Sequence, residues 1–250
     1  MDNEIKRNYK DSMFRKLFDS EDKIRELYNA LENTNYGPET PVEIKTLDDV
    51  IFRDIKDDLA FTIDGKFVVL IEHQSTINCN MPVRMLSYLA RVYEKMFTGM
   101  ELYRKRIKQL PFPEFFVLYN GAEDYPSEST LKLSDAFART GKEINAELIV
   151  KVFNLAYNEN TELLKRSETL RQYSKCISYV NAGIAGGLSS EEAVKRAIAL
   201  CRKEGCVGLA ARTGFRGVTV CSISAVADTT SEKKCDSFRL LYGHCHVSFN

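Results

Sequence analysis

Two acidic side chains and one amide stand on neighbouring apolar runs of this chain, in an order that could bind a metal ion. Asp58 ends a polar approach to the first run, and Glu72 follows the second run, with Gln74 two residues later. Such oxygen ligands suit Mg²⁺ or Mn²⁺, because both ions prefer carboxylates and water. A metal held there would activate water for attack on a phosphate ester. The pattern predicts metal-dependent phosphodiester hydrolysis, with Asp58 and Glu72 as metal ligands and Gln74 orienting the water or the phosphate.

A β-hairpin is expected to carry these side chains. Residues 66–74 include a continuous run rich in β-branched types, as expected for a central strand covered on both faces. Residues 57–63 form a second strand-like run, and Asp64-Gly65 between the two runs is a turn signal. The sequence therefore predicts two antiparallel strands joined by a short connection.

The length of that connection decides which aspartate joins Glu72 and Gln74, whose side chains share a face because residues alternate along a strand. A strict two-residue turn would place Asp57 on that face. A three-residue loop with Gly65 in the left-handed conformation, or a bulge, would place Asp58 there instead. We expect the odd-length loop or the bulge.

A purely structural role also fits these residues. Asp58 could cap the hairpin, and Glu72, His73 and Gln74 could simply lead the strand out of the core into solvent. His73 alternates away from its two neighbours, so we interpret it as structural and not as a ligand.

Five segments of the chain resemble the Rpn family of recombination-promoting nucleases, also described as PD-(D/E)XK nuclease family transposases. They are DSMFRKLF at 11–18, DDLAFTIDGKFVVLIEHQST at 57–76, NMPVRMLSYLARVYEK at 80–95, FPEFFVLYNG at 112–121 and LRQYSKCISYV at 170–180. The specific part is IEHQS followed by NMPxRxLxY; D…ExQ alone is not specific. The resemblance covers residues 5–204 and implies a Mg²⁺-dependent deoxyribonuclease of the D…ExQ variant, with Mn²⁺ as an alternative ion. It also implies that Asp58, Glu72 and Gln74 are the catalytic set.

The order of predicted elements is typical of an α/β protein. We expect a helix at 11–33 with Asp11 as a plausible N-cap, a loop at 34–47, strands at 49–55, 57–63 and 66–74, a helix at 82–98, a strand at 115–119, polar turns at 122–145 and a strand at 148–155. The resemblance implies that residues 1–156 form a restriction-endonuclease-like (PD-(D/E)XK) core, with a central mixed sheet flanked by helices.

Beyond that core, residues 157–204 are predicted to be a C-terminal helical appendage. One helix is expected at 161–182, and Ser189-Ser190-Glu191-Glu192 opens another with a capping signature. Such an appendage suits binding to a partner or to a second copy of the chain.

The last 46 residues, 205–250, differ in character from the rest. They hold four of the seven cysteines and two of the three histidines, and show neither helical nor strand periodicity. The resemblance implies a charged helical continuation here, so we interpret the tail as frameshifted and poorly ordered. The encoding DNA tests this, because another reading frame should then hold the helical continuation.

Two basic groups are candidates for contact with DNA. On the helix 82–98, Arg84, Tyr88 and Arg91 share one face and could bind the DNA backbone, with the Tyr88 ring against a sugar or base; a solvated basic edge with a half-buried tyrosine is the alternative. Arg104, Lys105 and Arg106 form a denser run, although such a run is more often a solvated helix face than a nucleic-acid contact.

Composition limits the classes of protein that remain. With 44% hydrophobic and 28% charged residues, the chain is an ordinary globular protein, and its net charge of zero means that DNA binding must come from a local surface. Neither a membrane span nor a signal peptide is evident, no organic cofactor is expected, and the cysteines are typical of reduced cytoplasmic thiols. Hydrolysis of small phosphoesters is the least favoured function, because the chain lacks a glycine-rich phosphate cradle. A catalytically inactive nuclease fold that binds DNA or protein, from a decaying mobile element, is the alternative function.

Overall fold

A six-stranded mixed sheet is the frame of the protein. A computed structural model describes residues 13–45, 59–65, 67–74, 76, 78–97, 99–121, 123–138, 143–156, 158 and 161–206, with only the backbone of Lys45 and of residues 67–73. The strands are β1 Val42–Lys45, β2 Leu59–Ile63, β3 Phe67–Gln74, β4 Phe112–Tyr119, β5 Glu128–Lys132 and β6 Ile149–Asn154. Their order is β1-β2-β3-β4-β6-β5, with β3, β4 and β6 parallel and the other neighbours antiparallel. The expected mixed α/β sheet is confirmed.

Helices flank this sheet. They are α1, whose described part is 13–17, α2 Glu21–Glu32, α3 Met81–Met96, α4 Glu162–Arg166, α5 Glu168–Ala185 and α6 Ser190–Lys203. The capping box predicted at the start of α6 is present, formed by Ser189 and Glu192. No helix in the described ranges is long and apolar enough to cross a membrane.

The β2–β3 connection has the odd length that we expected. Ile63 pairs with Phe67, which leaves residues 64–66 as a three-residue loop. Asp64 and Gly65 both have positive φ, at 57° and 63°. Glycine adopts this left-handed conformation without steric cost and aspartate tolerates it, so the Asp-Gly pair fits two successive positions of positive φ in this loop.

The two faces of the sheet pack against different helices. On one face, Met81, Met85 and Tyr88 of α3 form a core with Ala60 of β2 and alternate residues of β4 and β6. On the other face, Tyr28 of α2 contacts Phe61, the next residue of β2, at 6.3 Å between ring centroids. Because neighbouring strand residues point to opposite faces, α3 and α2 must lie on opposite sides of the sheet.

Four predicted elements have different bounds in the structure. The helix expected at 11–33 is interrupted before Ser20, whose backbone is extended at the start of α2. The helix expected at 161–182 divides at Ser167, whose hydroxyl accepts a hydrogen bond from the Leu170 amide and caps α5. Both are serines whose local geometry competes with a continuous helix. Strands β1 and β5 lie in segments predicted as loop and turns, because an edge strand is short, polar and defined mainly by its single neighbour.

The helices that follow β6 belong to the same compact unit as the sheet. Their contacts with the rest of the unit involve α2, which touches both α4 and α5. The division into core, appendage and tail stays a prediction. Strand 49–55, Asp11 and nearly all of the 205–250 tail lie outside the described residues.

One glutamate joins α2 to the start of α5. The Glu26 carboxylate accepts hydrogen bonds from Lys23 Nζ at 2.6 Å, Ser167 Oγ at 2.7 Å and the Thr169 amide at 2.9 Å. Burial raises the pKa of Glu26, but these hydrogen bonds outweigh it, and the pKa lies below its usual range. The charged form of Glu26 is thus the form that stabilises the fold.

We expect Glu26→Gln to lower the free energy of unfolding by about 1.5–3 kcal/mol at pH 7, because it removes hydrogen bonds to a charged acceptor. A carboxylate with a lowered folded pKa stabilises above the ordinary glutamate pKa of about 4.3, and this stabilisation is lost as the pH falls through the lowered value. The difference in urea midpoint between wild type and variant should therefore shrink below about pH 4. Glu21→Gln, on the exposed side of the same helix, is the control; a difference independent of pH would contradict the assignment.

Candidate functional site

Gln74 lies at the carboxyl end of β3, where three elements meet. Its side chain is buried, and Nε2 donates to Met81 Sδ, 2.8 Å away, in the first turn of α3. Its main-chain oxygen accepts a hydrogen bond of 2.8 Å from the Asn120 amide, directly after β4. Gln74 is therefore held in place from both sides.

Of the two predicted metal ligands, only the backbone of Glu72 lies within the described residues. Glu72 has its backbone in β3, opposite Val117, two positions before Gln74, but its side chain and that of His73 lie outside the described residues. Asp58 and Asp57 lie outside them as well; the last described pair of the hairpin is Leu59 with Ile71. Among the side chains that are described, no group of three or more His, Cys, Asp or Glu residues could hold a metal ion.

Arg84 lies beside Gln74, on the next turn of α3. Its guanidinium donates from Nη2 to the Tyr88 hydroxyl at 2.9 Å and from Nη1 to Met81 Sδ at 3.5 Å. Met81 is thus shared by Gln74 and Arg84, so a half-buried cation stands next to the amide. Arg91 is half-buried too, two turns further along the helix.

Tyr88 has a different place from the one we expected. Only 4% of it is exposed, and its ring belongs to the core between α3 and the sheet. A ring in that position cannot stack on a sugar or a base, and this corrects the expectation of a direct contact with DNA. Its hydroxyl instead orients Arg84, because the helical spacing of four residues brings the two side chains together.

The basic run Arg104, Lys105 and Arg106 is also placed differently. It is exposed but not helical, because the short 3₁₀ helix Glu101–Tyr103 ends just before it. The run precedes Phe112, which pairs with Phe67 at the start of β3, whereas Gln74 pairs with Tyr119 at the other end of β4. Seven strand positions at about 3.3 Å each separate Phe112 from Tyr119 by about 23 Å along the sheet. Lys108, close after the run, donates to the carbonyl of Met96, the last residue of α3, whereas Gln74 contacts Met81, the first. The run therefore lies towards the end of α3 that is opposite Gln74.

Three residues near Gln74, namely Tyr119, Asn120 and Gly121, were not among the candidates. Asn120 is buried directly after β4, and its Nδ2 donates to the Tyr173 hydroxyl of α5 at 2.7 Å. An Asn-Gly pair after an apolar strand predicts only the end of that strand. The parallel pairing of β3 with β4 puts Asn120 at the same edge of the sheet as Gln74. In parallel sheets this edge, at the carboxyl ends of the strands, is where ligands bind.

Gly121 and Tyr119 pack closely at this edge. A Cβ atom on Gly121 would overlap the Tyr119 hydroxyl and ring, so a larger residue there would have to displace that side chain. Burial raises the pKa of Tyr119, and the hydroxyl accepts a hydrogen bond from the Glu123 amide at 3.1 Å. Tyr119 is therefore a neutral, fixed neighbour of Gln74.

Comparison with known families identifies the family of this chain. Residues 49–176 match the family described as "Putative transposase, YhgA-like". The match covers just over half of the 250 residues and includes β2, β3, α3, β4 and the Asn120–Tyr173 contact. No curated protein and no solved structure gave a significant match. The resemblance seen in the motifs is confirmed: the chain belongs to the YhgA-like transposase family, within the Rpn/PD-(D/E)XK transposase-like group.

Proposed function

We propose that this protein is a metal-dependent DNA endonuclease that hydrolyses phosphodiester bonds in recombination or transposition. Membership of a transposase family supports a DNA-directed nuclease role in general. The observation that carries the finer proposal is the register of β2 against β3.

That register supports Asp58 as the partner of Glu72. The described pairs run from Ile63 with Phe67 to Leu59 with Ile71. Continuing them by one position would put Asp58 opposite Glu72.

The burial of described residues supports the same face for all three groups. Ala60, two positions after Asp58, packs in the core with Met81, and Gln74 donates to Met81. Because strand residues alternate, Asp58 and Glu72 should share the α3 side of the sheet with Gln74.

Two carboxylates on adjacent strands fit a hard divalent ion, Mg²⁺ or Mn²⁺, since such ions prefer several oxygen ligands and retained water. When bound, the ion would supply a water of lowered pKa and offset negative charge on the phosphate. Asp58 and Glu72 would hold it. The Gln74 amide, fixed by Met81, would orient the water or the scissile phosphate.

Arg84 would supply the positive charge that an amide lacks. In the more usual form of this motif a lysine stands at the place of Gln74. In this chain the Arg84 guanidinium and the Gln74 amide both contact the Met81 thioether, and the Tyr88 hydroxyl accepts a hydrogen bond from Arg84. A guanidinium pairs well with phosphate oxygens, so Arg84 can bind the phosphate beside the site.

Cleavage of supercoiled and linear DNA tests the proposal. We expect wild type to cut with Mg²⁺ or Mn²⁺ and not with EDTA, and Glu72→Gln to lower the rate by on the order of 100-fold or more, as expected for loss of a ligand that contributes several kcal/mol. Glu128→Gln, on exposed β5, is the matched control.

Equal cutting by wild type and Glu72→Gln would mean that the site is misplaced. A folded wild type that binds DNA but does not cut it with either ion would instead support the inactive DNA- or protein-binding module.

A further inference from the structure

The segment between α3 and β4 exposes an unusual combination of side chains. It carries four of the eleven large apolar side chains exposed in the described part of the chain, namely Met100, Leu102, Tyr103 and Ile107. Tyr103 and Ile107 are the most exposed of all, at 78% and 82%. Isolated exposed apolar residues are common, but a cluster of this kind marks an interaction surface.

Three consecutive free cations stand between Tyr103 and Ile107 of this apolar cluster. Arg104, Lys105 and Arg106 are exposed, and within the described part of the chain no hydrogen bond or ion pair engages them. The chain as a whole has a net charge of zero, so this local positive surface is not a consequence of composition. It is suited to a partner that is anionic and also offers flat apolar groups.

The segment is fixed to the fold at both ends. Lys108 Nζ donates to Glu101 Oε2 at 2.7 Å and to the Met96 carbonyl, and lies 5.4 Å above the Phe97 ring. The Tyr93 hydroxyl donates to the Pro111 carbonyl at 2.6 Å. Lys108 is therefore structural, and it holds Tyr103 and the three free cations in place.

We propose that Tyr103 together with Arg104, Lys105 and Arg106 binds single-stranded DNA. The cations suit successive phosphates, and the exposed ring and guanidinium planes suit stacking on unpaired bases. A duplex keeps its base faces inside the stack, so it offers the ring nothing to stack on. This inference rests on the proposed DNA-directed function and deepens it by naming a substrate class.

The position of the segment between α3 and β4 indicates which kind of DNA substrate could reach both it and Gln74. It leads into Phe112, which lies about 23 Å along the sheet from the partner of Gln74 by strand rise, and Lys108 holds it at Met96, the last residue of α3. A substrate that occupies both places has a phosphodiester bond at the Gln74 end and an unpaired strand at the Tyr103 end. The preferred DNA is therefore one in which a duplex continues into a single-stranded tail.

Fluorescence anisotropy with labelled oligo-dT and with a duplex of equal length tests this, using the full chain in EDTA so that cleavage plays no part. We expect Tyr103→Ala to weaken oligo-dT binding by about tenfold, the loss of one stacked base, and Tyr103→Phe to retain it. Arg104→Ala/Lys105→Ala/Arg106→Ala should lower the slope of log affinity against log salt by about 2, because about 0.7 counterions are released per phosphate of a single strand.

The matched control removes the same three charges at exposed positions elsewhere, as Lys132→Ala/Arg196→Ala/Lys203→Ala. Circular dichroism of each variant checks that it is folded. The control should bind oligo-dT as wild type does.

Three results would overturn the proposal: oligo-dT affinity unchanged in both test variants, an equal loss of affinity for the duplex, or binding of polyglutamate in place of oligo-dT, which would assign the surface to an acidic protein. Because no metal is present, absence of nuclease activity would disprove the proposed catalysis without affecting this outcome. Conversely, a cleaving enzyme with unchanged oligo-dT binding in both variants would disprove only the single-strand site.

Discussion

Asp58→Asn should lower DNA cleavage by on the order of 100-fold or more, whereas Asp57→Asn should leave it within about threefold of wild type. The two substitutions remove the same charge from adjacent positions, so net charge and general DNA attraction change equally. Only the strand face differs. In the proposed site, continuing the β2–β3 pairing beyond Leu59 would put Asp58 on the face of Ala60, the α3 side, and Asp57 on the opposite face.

The measurement is the single-turnover rate on a linear duplex at saturating Mg²⁺, with thermal unfolding as a check on folding. If Asp58→Asn acts by weakening metal binding, high Mn²⁺ should partly restore cleavage. Mn²⁺ binds the same kinds of ligand more tightly than Mg²⁺, which gives up its water reluctantly. The reverse order of effects, with Asp57→Asn inactive and Asp58→Asn active, would mean that the register changes beyond Leu59.

Tyr173→Ala should lower the free energy of unfolding by about 3–5 kcal/mol, the usual range for removal of a buried aromatic ring. Tyr173 is fully buried on α5, its ring meets Phe14 edge-on at 5.6 Å, and its hydroxyl accepts from Asn120. It therefore joins α1, α5 and the end of β4. Urea unfolding gives the measurement, with an unchanged m-value expected if the native fold persists.

Two variants separate the contributions of Tyr173. Tyr173→Phe keeps the ring and removes the acceptor for Asn120 Nδ2, and it should cost about 1–2 kcal/mol. Tyr179→Ala, at a half-buried position of the same helix, should cost less than Tyr173→Ala. If Tyr173→Ala cost no more than Tyr179→Ala, α5 would not be integral to the core, and the helices after β6 would be an appendage in the energetic sense.

The sequence by itself determined the elements whose signals are local. The Asp64-Gly65 pair specified a tight connection between two strands, because both residues accept positive φ, whereas its odd length became evident only from the pairing of Ile63 with Phe67. Pro82 fits the first turn of α3, and Ser189 with Glu192 makes a capping box at the start of α6. The apolar runs gave β2, β3, β4 and β6 to within a few residues. Each of these signals is complete within a short stretch of chain.

The tertiary structure alone decided which residues come together. Helical spacing put Tyr88 and Arg84 on one face of α3, but only packing against the sheet showed that the Tyr88 ring is core and its hydroxyl holds Arg84. The edge strands β1 and β5 depend on a neighbour for their definition, so their polar sequences did not indicate them. In each case the structure depends on a contact with a segment that is distant in the sequence.

The basic run at 104–106 shows the physical reason most clearly. Its composition indicates a surface for an anionic partner, and nothing in its neighbours says where that surface lies. Parallel pairing of β3 with β4 requires the chain to return to the start of the sheet before β4 begins, and this crossover takes the run to the end opposite Gln74. Residue type and spacing determine what the run can bind. Its distance from Gln74 depends instead on the pairing of β3 with β4, which α3 connects.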